Sequence, residues 1–331
     1  MIEEKKGFKG FLNKMMQLRE MSLILIIVIA CIVLSIANPL FFKWPNIQTV
    51  MGSIAVNGIM TIGMIIVMLT GGLDLSIGAT MCMSMAISAT MIADGKNPFL
   101  SILVGVAAAA LIGFLIGTIV TKLQLSHFIV TLCFSGIARG IVYAMTSGIA
   151  VSLVMQLRKM PVLKKIGSGY IGKVPVAFLV FIALAILADI YTRKSATMRK
   201  VYYTGSNETA AKHSGIKTDK IKLLTCVACS LFAGIASVIY MAKYSGVTVS
   251  AGDGAEMTAL SAAVIGGVSM NGGKGSITGG LLGLLFIVII QDAMNLFSVQ
   301  AFWQDLIRYL IVLLAVIIDV FQERARVKRN S

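Results

Sequence analysis

The chain has 331 residues, 57% of them hydrophobic and only 13% charged, with a mean hydropathy of +0.90. A soluble core of that size needs a polar surface that this composition cannot supply, so the chain belongs in a bilayer. The net charge of +15 does not mark a nucleic-acid binder, because the basic residues sit in short clusters between apolar runs, the distribution that orients membrane proteins.

At the N-terminus, KKGFKGFLNKMMQLRE precedes the apolar run 21–37. The run is long enough to span and is the first of many, so it reads as an uncleaved helix rather than a signal peptide. Apolar segments predict ten spans: 21–40, 46–70, 75–93, 98–121, 127–148, 175–191, 221–241, 256–271, 277–298 and 303–320. The eighth is short and rich in glycine. With both ends inside, 19 of the 29 Lys and Arg residues face the cytoplasm and 8 face outward, while Arg139 and Arg308 fall within spans. The expected fold is an all-α, polytopic membrane protein with about ten transmembrane helices and both termini cytoplasmic. A cytoplasmic segment (1–20) leads into one membrane domain (21–320), with a cytoplasmic loop at 192–220, and a basic tail (321–331) follows. The basic stretch 149–174 falls on the outer side. Its LVMQLRKMPVLKKIG pattern reads as an external amphipathic element, unless the helix count is off by one.

Small residues recur within the spans. Gly113/Gly117, Gly136/Gly140 and Gly279/Gly283 are G-x-x-x-G pairs, which let helices approach closely where lipid offers no hydrophobic drive. Cys31, Cys82, Cys133, Cys226 and Cys229 all lie in apolar segments and read as small packing residues, including the C-x-x-C at 226–229. His127 and His213 are isolated, so neither a metal nor any other cofactor is expected.

One stretch, TGGLDLSIG at 70–78, sets a carboxylate between two apolar runs. An ionised carboxylate costs several kcal/mol in hydrocarbon, so this is either a solvated turn or a working site. Counting inward from residue 46 at about 1.5 Å per residue puts Thr70 roughly 36 Å down, near the inner leaflet. Gly71 and Gly72 would break the helix there and Asp74 would cap the next one. The freed backbone groups are satisfied only if they face protein or water. Two readings stand: a broken-helix turn lining a pathway, with Thr70, Gly71, Gly72, Asp74 and Ser76 as its residues, or a purely structural N-cap.

The longest cytoplasmic stretch is RKVYYTGSNETAAKHSGIKTDKIK, 199–222. Ser206 is the expected N-cap of a short helix, with Asn207 the less favoured choice, and Glu208 suits the positive end of the helix dipole. Ala210, Ala211 and Ser214 give it a smooth face, and Gly215 ends it as a C′ glycine. Some two helical turns are marginal alone, which favours a docking partner over a solvated connector. Further on, GGVSMNGGKGS (266–276) looks like a phosphate loop, but Val268 and Gly275 stand where a Walker A motif needs glycine and Ser/Thr. It is not a nucleotide site. No nucleophile–base pair appears, so the chain is not expected to be an enzyme.

These residues together carry a resemblance. TGGLDLSIG, TGSNETAAKHSGI (204–216), EMTALSAAVIGGVSMNGGKGSITGGLLG (256–283) and FWQDLIRYLIVLLAVIID (302–319) are similar, in order, to the signature stretches of the ribose-type sugar permeases of bacterial ABC importers. The resemblance covers about 21–320. It implies a permease subunit in the bacterial inner membrane that imports a monosaccharide, with a second permease copy or paralogue and surrounding lipid. It also implies a separate ATP-binding subunit, of tandem form, and an extracytoplasmic sugar-binding protein. By analogy 204–216 is the coupling helix, with Gly205, Asn207, Glu208, Ala210, Ala211, Ser214 and Gly215 facing the ATPase. Related permeases carry several pentoses and hexoses, and more distant ones nucleosides or branched-chain amino acids. The rival reading is an ion-coupled secondary transporter using Asp74, Glu256 or Asp292, although a coupling helix has no purpose in such a carrier.

Depth also predicts a buried ion pair. Asp292 lies six residues below the outer end of its span and Arg308 five residues below the start of the next, so antiparallel neighbours would hold the two at matching depth; the alternative is that Arg308 snorkels outward while Asp292 hydrogen-bonds to Asn295 or faces water.

Overall fold

The computed structural model describes residues 19–330, so the expected N-terminal segment lies almost wholly outside the described residues. Helices dominate: α1 (Arg19–Ala37), α2 (Trp44–Met68), α3 (Ile77–Ala93), α4 (Pro98–Lys122), α5 (His127–Thr146), α6 (Val154–Arg158) and α7 (Pro161–Ser168) form the first half. The second half holds α8 (Val176–Lys194), α9 (Ala196–Ser206), α10 (Glu208–His213), α11 (Thr218–Tyr244), α12 (Ala255–Ile265), α13 (Ile277–Leu296) and α14 (Ala301–Asn330). Four two-residue strands make two small antiparallel ladders. β1 (Val151–Ser152) pairs with β4 (Gly246–Val247), and β2 (Tyr170–Ile171) with β3 (Val174–Pro175).

Helix starts follow local chemistry. Pro45, Pro98 and Pro161 occupy the first turns of their helices, where a missing N–H costs nothing. Asn97 caps α4 through Phe99 and Leu100, Ser195 caps α9 through Thr197, and Ser276 caps α13 through Gly279.

Among the described residues, α2, α4, α5, α8, α11 and α13 are six helices long and apolar enough to cross a membrane. Met21–Ala37, Ile77–Ala93 and Ala255–Ile265 are shorter apolar helices. The protein is thus an all-α, multi-pass membrane protein. The expected eighth span, 256–271, is shorter than drawn: α12 stops at Ile265, and its 11 residues cover about 16 Å, half a bilayer core.

The core sits on α2, whose Ile59, Ile62, Ile65, Val67 and Met68 are fully buried. Around it pack α8, α11, α12 and α13, while α11 also packs on α3 and α4. α3 is buried nearly all round, the sign of an interior helix. By contrast α4, α5 and α8 bury one stripe and turn Leu111, Phe114, Leu132 and Leu187 outward, as lipid-facing helices do.

Glycine pairs differ in use. A Cβ on Gly113 or Gly117 would strike Cys226, Ser230 or Leu223, so the pair seats α4 against the backbone of α11. Gly279 and Gly283 likewise seat α13 against Gly266 and Ala262. Gly136 and Gly140 face open space, so this expected pair joins no helices among the described residues. The stretch 149–174 is amphipathic: Leu157 and Leu163 are buried while Lys164 and Lys165 are exposed.

The ion pair expected between Asp292 and Arg308 does not form. Asn46 donates to the Asp292 carboxylate at 2.7 Å, and Arg308 pairs with Asp305 at 3.1 Å. Depth fixes the level of a side chain but not the side of the helix it leaves from. Asp292 leaves α13 toward α2, whereas Arg308 lies against Gly254 at the start of α12.

Candidate functional site

The chain between α2 and α3 is irregular over 69–76, as the glycines require. Gly71 takes φ +79°, a conformation that favours glycine. A Cβ on Gly72 would lie 2.9 Å from the His127 ring, so close approach dictates that glycine too.

Asp74 is buried, and its Oδ1 accepts hydrogen bonds from the Ser76 N–H (2.8 Å) and Ser76 Oγ (2.5 Å). This is an Asx-type turn, which the side chain closes on the backbone two residues on. Asp74 was expected to cap the following helix. The N-cap position belongs to Ser76, and its side chain makes no cap bond. Asp74 Oδ2 meets no N–H or O–H donor, and the group beside the carboxylate is the buried Cys229 thiol. Buried carboxylate oxygens are rarely left so, because an uncompensated charge in a low-dielectric interior is costly.

Three stretches distant in sequence meet where α2 ends. The Leu69 carbonyl accepts from the Gly273 N–H at 2.9 Å. A Cβ on Gly205 would collide with that same carbonyl and with the Gly273 nitrogen, and one on Gly272 would meet Gly71 and Gly205. The Tyr202 hydroxyl donates to the Gly275 carbonyl at 2.9 Å, and the Thr70 and Thr225 hydroxyls lie 3.4 Å apart. Helix break, glycine-rich loop and the end of α9 thus form a seam of backbone on backbone. The carbonyl freed at Leu69 is satisfied by protein, as a break at membrane depth demands.

On the far side of Asp74 a second irregular segment folds inward. The loop after β4 packs Gly252 against Gly78 in the first turn of α3. Arg139 of α5 holds the loop, donating to the Val249 (2.7 Å) and Ala251 (2.8 Å) carbonyls and pairing with Asp253. Asp74 therefore sits between the seam at Leu69–Gly71 and this loop at Gly78. The intramembrane Arg139, given no partner by the sequence reading, is the clamp on the loop.

The segment expected to meet an ATPase is built from α9 and α10. Asn207, not Ser206, caps α10, accepting from Ala210 N–H at 2.9 Å, because α9 runs through Ser206 as its last residue. Gly215 takes φ +80° just past the C-cap Ser214, the C′ role expected of it. Glu208 is a tie rather than a free surface acid: it pairs with Lys212 (3.0 Å) and Lys222 (2.6 Å) and accepts from Thr218 at 3.2 Å. Burial pulls its carboxyl upward, but the two ammonium groups outweigh burial and hold it at about 2. Ala210 and Ser214 are exposed while Ala211 is buried, so the smooth face is narrower than the sequence suggested. Between α9 and α10 lies a hollow of about 530 Å³ lined by Tyr203, Ser206, Asn207, Ala210 and Ser214.

Of the residues singled out in sequence, Thr70, Gly71 and Gly205 meet at the seam. Gly72, Asp74 and Ser76 form the adjoining turn, and Asn207, Glu208, Ala210, Ala211, Ser214 and Gly215 form the neighbouring element. The loop 269–275 and Arg139 were missed. The repeated Gly-Gly at the end of an apolar span, in LTGGLDLS and VIGGVSMN, was the signal for the loop.

Residues 46–316 match the family described as branched-chain amino acid transport system / permease component. The ribose import permease protein RbsC of Bacillus subtilis (strain 168) is 32% identical over 291 residues, 88% of this chain and 89% of that protein. RbsC of Escherichia coli (strain K12) is 32% identical over 311 residues, 94% of this chain and 96% of its own. The L-arabinose ABC transporter permease protein AraH of Azospirillum brasilense is 29% identical over 304 residues, 92% of this chain and 88% of that protein. No solved structure matches the chain. With the family's match spanning most of its length, the chain belongs to the branched-chain amino acid transport system permease family, the membrane-spanning component of ABC importers.

Proposed function

We propose that this permease imports a monosaccharide, a ribose-like pentose or a close relative, across a bacterial inner membrane. It receives the sugar from an extracytoplasmic binding protein and works with a separate tandem ATPase and a second permease copy. The chain crosses the membrane with ten helical segments, the eighth a half-span entered from the inward-folded loop, and keeps both termini in the cytoplasm. In this reading the ATPase grips 204–216, Ala210 and Ser214 present the contact, and the turn at Thr70–Ser76 is the gate.

One observation supports the coupling above all. Gly205, in the ATPase-facing element, touches the Leu69 carbonyl and Gly273 without room for a side chain between them. A displacement of α9 must therefore be felt at the helix break, since close-packed backbone transmits rather than absorbs movement. The test is uptake of labelled ribose into proteoliposomes holding permease, ATPase and binding protein. Uptake should require all three and ATP. Ribose uptake by the permease alone down an ion gradient would instead favour the secondary transporter.

A further inference from the structure

Beside the coupling element, α8, α9 and α11 enclose a groove of about 550 Å³, within the roughly 300–1,000 Å³ typical of ligand clefts. Its walls are apolar: Leu184, Leu187 and Tyr191 come from α8, Met198 and Val201 from α9, and Leu224 from α11. Leu187, Tyr191 and Leu224 are exposed, so the groove opens toward whatever surrounds the bundle.

Cations stand at one end only. On α8, Lys194 falls on the stripe of Leu187 and Tyr191, seven and three residues on; Lys217, just before α11, and Lys220, in its first turn, precede Ile221 and Leu224 by four residues each. All three are exposed, and none forms an ion pair among the described residues. Tyr191 lies at the same end, where an amphipathic ring suits a headgroup boundary.

We propose that this groove is a binding site for an anionic phospholipid, with an acyl chain along the apolar walls and the phosphate headgroup between Lys194 and Lys220, near Lys217. The inference rests on the proposed orientation, which places this basic end at the inner leaflet. Basic pockets between helices on that side are the sites where acidic headgroups collect. A second copy of the chain is the poorer occupant. It carries 29 basic against 14 acidic residues and would bring more positive charge to three lysines that form no ion pair among the described residues. Since the lipid's tail gains little by leaving other tails, the headgroup charge supplies the selectivity. The site borders α9, so its occupant would steady the element that leans on Leu69.

The test is native mass spectrometry of the full-length permease released from nanodiscs of phosphatidylglycerol or phosphatidylcholine. Wild type should retain one phosphatidylglycerol in preference to phosphatidylcholine. The Lys194→Gln, Lys217→Gln, Lys220→Gln triple variant, changed only at exposed positions, should lose that preference by at least about tenfold. Its Lys→Arg counterpart should keep it, and Ala228→Phe should displace the lipid by filling the groove. Equal retention of the two lipids, or an unchanged preference in the glutamine variant, overturns the proposal. So does a dimer that loses its partner, and no lipid, on Ala228→Phe, because the groove is then a protein interface. The readout needs no transport, so it stands or falls apart from the assignment of the sugar.

Discussion

Asp74 presents two unlike oxygens: Oδ1 closes the turn on Ser76, while Oδ2 is buried with no N–H or O–H donor, the Cys229 thiol being the group beside the carboxylate. Asparagine can keep the first role and removes the charge. Asp74→Asn should therefore fold like wild type, by thermal unfolding in detergent, while slowing sugar uptake. Asp74→Leu leaves the Ser76 N–H and hydroxyl without their acceptor, at about 1–3 kcal/mol for each buried group, so it should lower stability as well. Wild-type uptake by the asparagine variant would leave the carboxylate a turn-former only. A second expectation concerns Asp292. Asn46→Ala removes its donor and should lower the unfolding temperature, whereas Asp305→Asn should change it little, because Asp305, the partner of Arg308, is exposed. At this scale the sequence was legible in residue type and less so in direction. The carboxylates, glycines and arginines that matter stood out as anomalies in an apolar chain. Which helix Asp292 would face depended on the turning of α13 about its own axis, and hydropathy, which follows depth, carries none of that.

The α9–α10 element shows how an exposed segment acquires a fixed shape. Its six-residue helix could not persist alone. Asn207 caps it, Gly215 ends it, and Glu208 ties it to Lys222 of α11. With the Glu208 carboxyl held at about 2 against an ordinary 4.5, the tie is at full strength above about pH 4.5 and is lost as pH falls toward 2. Amide protection over 208–216, taken relative to the intrinsic exchange rate at each pH, should fall across that window in wild type. Glu208→Gln should exchange fast at neutral pH and show no such acid step; equal protection in the two would mean that the cap and packing suffice. The exposures also separate two neighbouring alanines. Ala210→Trp should weaken ATPase recovery with the permease intact, whereas Ala211→Trp should disturb the permease itself, because Ala211 is buried. The existence of this helix, and its C′ glycine, were readable from capping chemistry. Its start was misplaced by one residue because α9, an amphipathic helix that hydropathy does not report, ran on through Ser206.

Over the whole molecule, apolar segments marked where helices would lie, since each needs an uninterrupted greasy stretch. They could not mark α12 as a half-span, because its glycine-rich continuation is apolar enough to resemble helix and is held as loop by contacts with Leu69, Gly205 and Val268. Nor could they show that the break after α2, the 269–275 loop and Gly205 form one seam, because long-range backbone contacts leave only glycines behind as a trace. That seam carries the proposed coupling: it joins the element we propose an ATPase grips to the buried turn carrying Asp74. Gly205→Val measures it most directly, in proteoliposomes with ATPase and binding protein, by ATP hydrolysis and labelled-ribose uptake together. The account predicts that the variant still recovers the ATPase and hydrolyses ATP, while uptake per ATP falls at least about tenfold. A folded Gly205→Val permease that imports ribose at the wild-type ratio would contradict it.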